Sequence, residues 1–555
     1  MKTNKLLIAL FCLTSFLFQF VAKSQISTDE LPTSFNFDGK MSETNSRNIK
    51  TMPQIDLEKL RIEDEKDEKN GIPPRFGFPH KVDFNLENSG EWFDLPNGDK
   101  LWKLEIYCPT ALSINLTYDK FWLPEGAKFF IYSSDKKHHI GAFTSNNNFG
   151  SKEDLRGFAT GLIYGDRITL EYYLPKDVSE QGIISIAKIV QGYRFINVYG
   201  NSDDIKKGED VFQIGFGSSN SNQVNINCPE GSNWQKEKNA IALILVGGYR
   251  GGTGALINNT AGDYRPLFLM AAHSIFLSGN FDAMGVSNLD QWSFCWHYEL
   301  PPNPNNCNYI NQNPSPPPLL STSGAKLLAN SSNSSNSFTD FALLELKENP
   351  ALKSGVTPYY LGWDRTGSIP NSGVGIHHPQ GDVKKIATFN TSPTTSWNYW
   401  EISWAITTNG HSITEGGSSG SPLLNSLGRV IGQLYGSFGI AGGGGGSRYG
   451  KFNASWDGLD FYSGQAAIHP QRRLRDWLHP FITQAPNTLN GIEYNCPLTV
   501  IQGVQSTRRV TCEKINVQNN ANVPNNVKLE LNAKEVNIYE LEVQAGAEFE
   551  IWINP

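Results

Sequence analysis

Glu415-Gly416-Gly417-Ser418-Ser419-Gly420-Ser421-Pro422 runs into the apolar pair Leu423-Leu424 and then into Val430-Ile431-Gly432-Gln433-Leu434. A serine two places after one glycine and directly before another is poorly suited to regular structure. It is well suited to a tight turn that presents a hydroxyl. Gly417 can adopt turn angles closed to other residues, which leaves its N–H beside that of Ser419 as a two-donor pocket for a developing oxyanion. Ser419 then reads as a nucleophile at the head of a strand. Gly/Ser clusters are as often plain surface loops, so partners elsewhere in the chain decide.

A serine hydroxyl needs an imidazole to take its proton and a carboxylate to orient that imidazole. His273 ends the apolar run Pro266-Leu-Phe-Leu-Met-Ala-Ala-His273, and Asp340 opens Asp340-Phe-Ala-Leu-Leu-Glu-Leu346. The chain order His, Asp, Ser with wide gaps is that of chymotrypsin-fold peptidases and not of subtilisins or α/β-hydrolases.

Six stretches in order carry a closer resemblance: Gly254-Ala-Leu-Ile-Asn-Asn-Thr260, Ala271-Ala-His273, Thr339-Asp-Phe-Ala-Leu-Leu-Glu-Leu346, Gly362-Trp-Asp-Arg365, Ile376-His-His-Pro379 and Gly417-Ser-Ser-Gly-Ser-Pro422. Together they resemble the bacterial lysyl endopeptidase branch of the trypsin-like family. The resemblance implies two β-barrels with a site between them, His273 as base, Asp340 as orienting acid, Ser419 as nucleophile, and no cofactor. It also implies a disulfide between Cys228 and Cys307. Six of the seven cysteines lie after the first 24 residues; Cys496 and Cys512 are candidates to pair, and Cys108 and Cys295 stay unassigned. No Cys/His spacing resembles a zinc site, and His377-His378 reads as structural, so no metal is expected.

The fold class expected is all-β: a double β-barrel with an N-terminal β-sandwich and a small C-terminal β module. Abundant Gly (52) and Pro (30) agree with turn-rich strands. A net charge of −7 offers no basic surface for nucleic acid. Residues 1–24 carry Lys2 and Lys5, an apolar run from Leu6 to Phe18, and Ala22-Lys23-Ser24, the layout of a cleaved secretion signal. No stable membrane span is expected. Residues 25–75 are polar and read as a solvated linker with one short helix.

Residues 76–200 alternate with period two at Trp102/Leu104/Ile106, Leu112/Ile114/Leu116 and Ile168/Leu170/Tyr172, which suggests an antiparallel sandwich. Its position before the peptidase suggests a prosegment, with a permanent accessory or carbohydrate-binding domain as the alternative. Residues 201–226 read as a processing linker, 227–484 as the peptidase and 485–555 as a module of stacked short strands. For that module, sorting, adhesion and stabilisation all stay open. The overall expectation is a secreted serine endopeptidase acting on proteins or peptides and accompanied by its own prosegment. The alternative is an inactive β-rich adhesin on the same fold.

Substrate binding is expected along Tyr435 and Gly436. In lysyl endopeptidases the acid that receives lysine lies two places before the tyrosine of a Tyr-Gly-Arg/Lys phrase. The matching phrase is Tyr449-Gly450-Lys451, and two places back stands Ser447. Animal trypsins place theirs six residues before the nucleophile, where this chain has Ile413. Cleavage after uncharged or apolar residues is therefore expected, with acidic residues second, unless Glu415 or Asp457 reaches the pocket. Arg448, if turned inward, would repel lysine further. Trypsins also carry an Asp just before the nucleophile to receive a new amino terminus; here it is Ser418, so activation is expected not to use one.

Overall fold

A computed structural model describes residues 22–23, 30–36, 49–69, 75–194, 219–276, 286–302, 307, 320–331, 339–353, 355–438, 446–459, 465–481, 483–496, 498–501, 508–518, 521–539, 541–544 and 546–553. Most of the expected secretion signal and most of the expected processing linker lie outside them. The chain forms two compact units, one built from residues 25–495 and one in which residues 496–553 join the amino-terminal residues. No described helix is long and apolar enough to cross a membrane.

The larger unit begins with a two-sheet sandwich. One sheet runs Ile163–Tyr164, Ser113–Trp122, Ile183–Gly192, Gly77–Asn85; the other runs Ile49–Thr51, Lys100–Tyr107, Arg167–Leu174, Lys128–Ser133, His139–Phe143. The period-two residues meet between them: Trp102, Leu104, Ile106, Ile114, Leu116, Ile168, Leu170 and Tyr172 are all buried in one core. Each such side chain contributes roughly 1.5–3 kcal/mol by leaving water.

Residues 25–75 do supply the short helix, Leu57–Lys69, but they are more than a solvated linker. Ile49–Thr51 pairs in parallel with Lys100–Tyr107, and Ser34 donates its N–H to the buried Glu171 carboxylate at 3.0 Å. A carboxylate on the outer face of a sheet cannot be buried without donors, and this polar segment brings them. On the helix, Asp64 is buried and accepts from Arg75 Nε at 2.5 Å, Tyr193 Oη at 2.7 Å and Arg194 Nη2 at 2.8 Å. One carboxylate thus ties the helix to the first and last strands of the sandwich.

Two antiparallel sheets follow. The first runs Leu320–Ser323, Ser293–Trp296, Ile241–Val246, Tyr249–Leu256, Leu267–Ala271, Phe341–Leu346, Ala325–Asn330. The second runs Lys385–Phe389, Gly373–His377, Pro422–Asn425, Arg429–Phe438, Gly446–Lys451, Tyr399–Ile402, Thr394–Ser396. They correspond to the two β-barrels expected from the sequence. Leu474 and Leu478 of the closing helical turn are fully buried in the shared core. Cys228 and Cys307 are bonded, while Cys108 and Cys295 are free and buried.

The smaller unit is a stack of parallel strands. Arg508–Val517 pairs with Lys528–Ile538, and that strand with Glu548–Ile553. Leu529 and Leu531 are buried inside, whereas Val543 and Ile551 are exposed. Cys496 and Cys512 are bonded. Ala22 and Lys23, from the expected signal, pair with Val536 and Glu535 of this unit.

Asp64→Ala removes the buried carboxylate shared by Arg75 and Arg194, with Arg75 keeping only the half-exposed Glu63 at 3.2 Å, a loss of about 3 kcal/mol. Urea titration followed by tryptophan fluorescence should show the sandwich transition at a clearly lower midpoint. Arg61→Ala removes exposed helix-surface pairs with Glu65 and Glu58 and should cost about 0.5 kcal/mol or less.

Candidate active site

The site begins with a strand register. Leu267–Ala271 and Phe341–Leu346 are antiparallel neighbours in which Ala271 lies opposite Phe341. His273, two residues past one end, is thereby set beside Asp340, one residue before the other. Asp340 Oδ1 accepts from the His273 backbone N–H at 2.8 Å, and its Oδ2 lies 2.6 Å from His273 Nδ1. The two contacts fix both the position and the rotation of the ring and leave Nε2 as the free edge.

Asp340 has φ +61°, the left-handed region that Asp tolerates better than most residues. Its neighbours hold it there. Ala272 N donates to Asp340 O at 2.8 Å, Gln433 Nε2 donates to Thr339 O, and Ser455 Oγ donates to Thr339 Oγ1.

The His273 pKa is raised above its ordinary value. Burial alone would lower it, but the charge of Asp340 and the hydrogen bond to it together outweigh that effect. The ring is still reachable, with 31% of the side chain exposed against 10% for Asp340.

The Ser419 turn is pinned from behind. Thr253 N donates to Ser419 O at 2.9 Å and Thr253 Oγ1 to Gly417 O at 2.8 Å. Gly417 has φ +85°, and a Cβ there would lie 2.9 Å from Gly381 N and 3.0 Å from His378 O. Gly420 leaves no more room, since a Cβ would meet Ala271 N at 2.6 Å. That contact seats the turn two residues from His273.

The peptide orientations also matter. Gln380 N donates to Gly416 O, and Ser421 N donates to Ser418 O. In a planar trans peptide the N–H points opposite the C=O, so the Gly417 N–H points away from Gln380 and the Ser419 N–H away from the Ser421 amide.

Ser418 Oγ lies 2.8 Å from His377 Nδ1 and accepts from Glu415 N at 3.1 Å. His377 and His378 are fully buried, and burial pushes both pKa values down to about 3, which makes them neutral props.

Of the expected substrate-binding residues, Tyr435 is exposed, with its ring edge-on to His273 at 6.1 Å between centroids. Gly436 follows it on the strand Arg429–Phe438. Ser447 lies opposite Ile402 in the neighbouring strand pair and is buried. Its Oγ accepts from Trp404 Nε1 at 2.7 Å and lies 2.7 Å from Thr414 Oγ1. Ile413 is partly buried and packs on the same barrel core.

The remaining charged candidates are engaged elsewhere. Glu415 accepts from Asn220 N and Gln223 Nε2, with burial pushing its pKa up. Asp457 pairs with Arg475 at 2.9 Å. Arg448 does not turn inward but pairs with Glu401 at 2.9 Å on the outer face. Sequence reasoning missed Thr253, Gln433, Trp404 and Thr414. Thr253 had a signal in its setting, Gly252-Thr253-Gly254, because glycines flank a residue that another backbone approaches closely. Among the described residues no cluster of His, Cys, Asp and Glu could hold a metal ion.

Residues 216–450 match the sequence family described as lysyl endopeptidase, C-terminal domain. A lysyl endopeptidase of Pseudomonas aeruginosa is 28% identical over 404 residues, covering 66% of this chain and 76% of that protein. Among solved structures, the serine endoprotease from Yersinia pestis aligns at 18% identity and TM-score 0.24 over 39% of this chain, which spans 62% of that one. The family match and the relative both make residues 216–450 similar to lysyl endopeptidases, and the Gly417–Ser421 turn lies inside the matched segment.

Proposed function

We propose that this chain is a secreted serine endopeptidase that hydrolyses peptide bonds through His273, Asp340 and Ser419, with residues 76–200 as its prosegment. The observation that carries the reading is the double contact of Asp340 with His273 beside a turn whose Gly417 and Ser419 carbonyls are held by Thr253 and whose Gly416 carbonyl is held by Gln380.

Ser419 Oγ attacks the scissile carbonyl while His273 Nε2 takes its proton. The same nitrogen then delivers that proton to the leaving amine, and water repeats the sequence on the acyl-enzyme. Asp340 stays ionised and stabilises the imidazolium. The N–H groups of Gly417 and Ser419 receive the oxyanion, each such donor contributing roughly 2.7–4 kcal/mol to barrier lowering.

The specificity reading takes the residues around Ser447, on the strand paired with that of Tyr435 and Gly436, as the floor that receives P1. Ile413, Thr414, Trp404 and Ser447 present no carboxylate, and the Glu415 side chain is turned onto Asn220 and Gln223. A lysine ammonium buried there would go unpaired at a cost of several kcal/mol. Uncharged or apolar P1 residues suit this floor.

Ser419→Ala should abolish both peptide hydrolysis and labelling by a fluorophosphonate probe while leaving the circular dichroism spectrum intact. Retained labelling in that variant would remove Ser419 from the role.

Acidification should lower kcat/KM as His273 takes up a proton and can no longer act as base. A raised pKa means that this happens at a higher pH than usual, so the midpoint should lie above about 6.5. Asp340→Asn should cut kcat by about 10⁴-fold and move the midpoint downward, which a pH–rate profile of the two proteins would read.

Ser447→Asp places a carboxylate where the Trp404 indole N–H and the Thr414 hydroxyl can donate to it. Its kcat/KM ratio for Lys over Leu at P1 should rise by about tenfold or more, equivalent to about 1.4 kcal/mol. A wild-type cleavage map dominated by Lys at P1 would contradict the specificity reading.

A further inference from the structure

The apolar run Ile241–Val246 is buried on both of its faces. Ala242, Ile244 and Val246 point into the barrel core. Leu243 and Leu245 point the other way, into a separate cluster with Cys295, Tyr298, Leu300 and Val383 of the peptidase and Phe76, Leu162 and Val190 of the sandwich. Backbone contacts reinforce this cluster. Gly248 O accepts from Phe76 N at 2.7 Å and from Gly77 N at 3.1 Å, and a Cβ on Gly248 would lie 2.5 Å from Gly77 O. A second patch adds Gln291 Nε2 donating to Tyr118 O at 3.0 Å and Lys347 Nζ over the Phe149 ring at 4.6 Å.

The main patch abuts the supports of the Ser419 turn. Two residues beyond Gly248, the fully buried Arg250 donates through Nη1 to Gln380 O, and Gln380 N donates to Gly416 O. Tyr298 stacks on His378 with 5.8 Å between ring centroids, and His378 O faces the Gly417 position. Val383 follows Asp382, whose carboxylate accepts from Ser219. With the sandwich in place, Tyr435 is 37% exposed and the His273 side chain 31% exposed.

From these contacts we infer that the sandwich is a lasting partner of the peptidase: it stays seated after any cut in the linker, and it positions the oxyanion loop through Gly248–Arg250–Gln380 and Tyr298–His378. A plug would cover the imidazole and the Tyr435 strand; this domain packs on Gly248 and Tyr298, whose neighbours Arg250 and His378 support the loop, and leaves ring and strand open. Departure of the sandwich would uncover six apolar peptidase side chains at once, a patch that a soluble monomer rarely shows.

The inference rests on the peptidase reading only for its activity arm. In the full chain, a recognition site for a sequence-specific protease is inserted between residues 201 and 218, the chain is cut there, and the products are run on gel filtration. Sandwich and peptidase should elute together, with kcat/KM on a short peptide substrate within about twofold of the uncut chain.

Leu162→Asp with Val190→Asp should let the fragments separate after the cut. Their separation should lower kcat about tenfold with little change in KM, a smaller loss than the 10²–10³ seen when an oxyanion donor is deleted. Leu162→Ile should restore both co-elution and kcat. If the double variant does not fold, Phe76→Ala gives a milder version of the same readout. Separation of the unmutated fragments, or a separated peptidase with undiminished or higher kcat, overturns the inference. An uncut chain that never reacts with a fluorophosphonate fails the peptidase reading instead, and co-elution is still measured.

Discussion

Everything at the candidate site depends on one register, Ala271 opposite Phe341. A strand slip of one residue would exchange inward and outward faces along both strands. It would also carry Asp340 away from the His273 amide and ring together. The register is set by burial, because Leu267 to Ala271 and Phe341 to Leu344 are all buried. Core packing and the orientation of the imidazole are therefore one constraint, and the left-handed backbone at Asp340 is a local cost that this packing offsets.

Much of this was legible in the sequence because it depends on short patterns with a physical meaning. A serine flanked by turn glycines, an apolar strand ending in small residues before a histidine, and period-two runs such as Trp102/Leu104/Ile106 each specify local geometry. The Ser419 turn needed only Gly417 and Gly420, and both have positive φ with no room for a side chain. What the sequence hid were contacts made at long range. Thr253 holds the turn from a strand more than 160 residues earlier. The Trp404 indole reaches Ser447 across a gap of 43 residues that shows no periodicity. Asp64 sits in a charge-rich helix that looks solvated, and only the arrival of Arg75, Tyr193 and Arg194 explains its burial. Ile241–Val246 is a further case. A continuous apolar run says that both faces are covered but does not say by what.

Buried charge is handled by pairing throughout the larger unit. Glu299, held well below the usual carboxylate range, serves both Lys238 and Lys384; burial opposes its charge, and the two ammonium groups outweigh that. Asp340 follows the same rule with a different outcome, because its partner is an imidazole that can lose its proton. A lysine in place of His273 would make a stronger ion pair and a poorer base. The floor around Ser447 is the contrasting case, where polar atoms are satisfied by neutral partners and no charge is buried.

The back of the oxyanion loop also rests on neutral groups. Where a trypsin would set a carboxylate before the nucleophile, Ser418 bonds to His377, which burial keeps uncharged. The nearby buried carboxylate, Asp382, is the exception: Lys385 Nζ lies 3.6 Å from it, and the amide and hydroxyl of Ser219 also donate to it. Asn220, Gln223 and Val224 then bond in turn to Glu415, Ile413 and Ser412 along the segment that leads to Ser419. Lys385 supplies the positive charge, and Ser219 the hydrogen bonds, that a newly cut amine would offer Asp382. Whatever control the amino-terminal half exerts must pass through packing, along the Gly248 and Tyr298 contacts that join the sandwich to the loop.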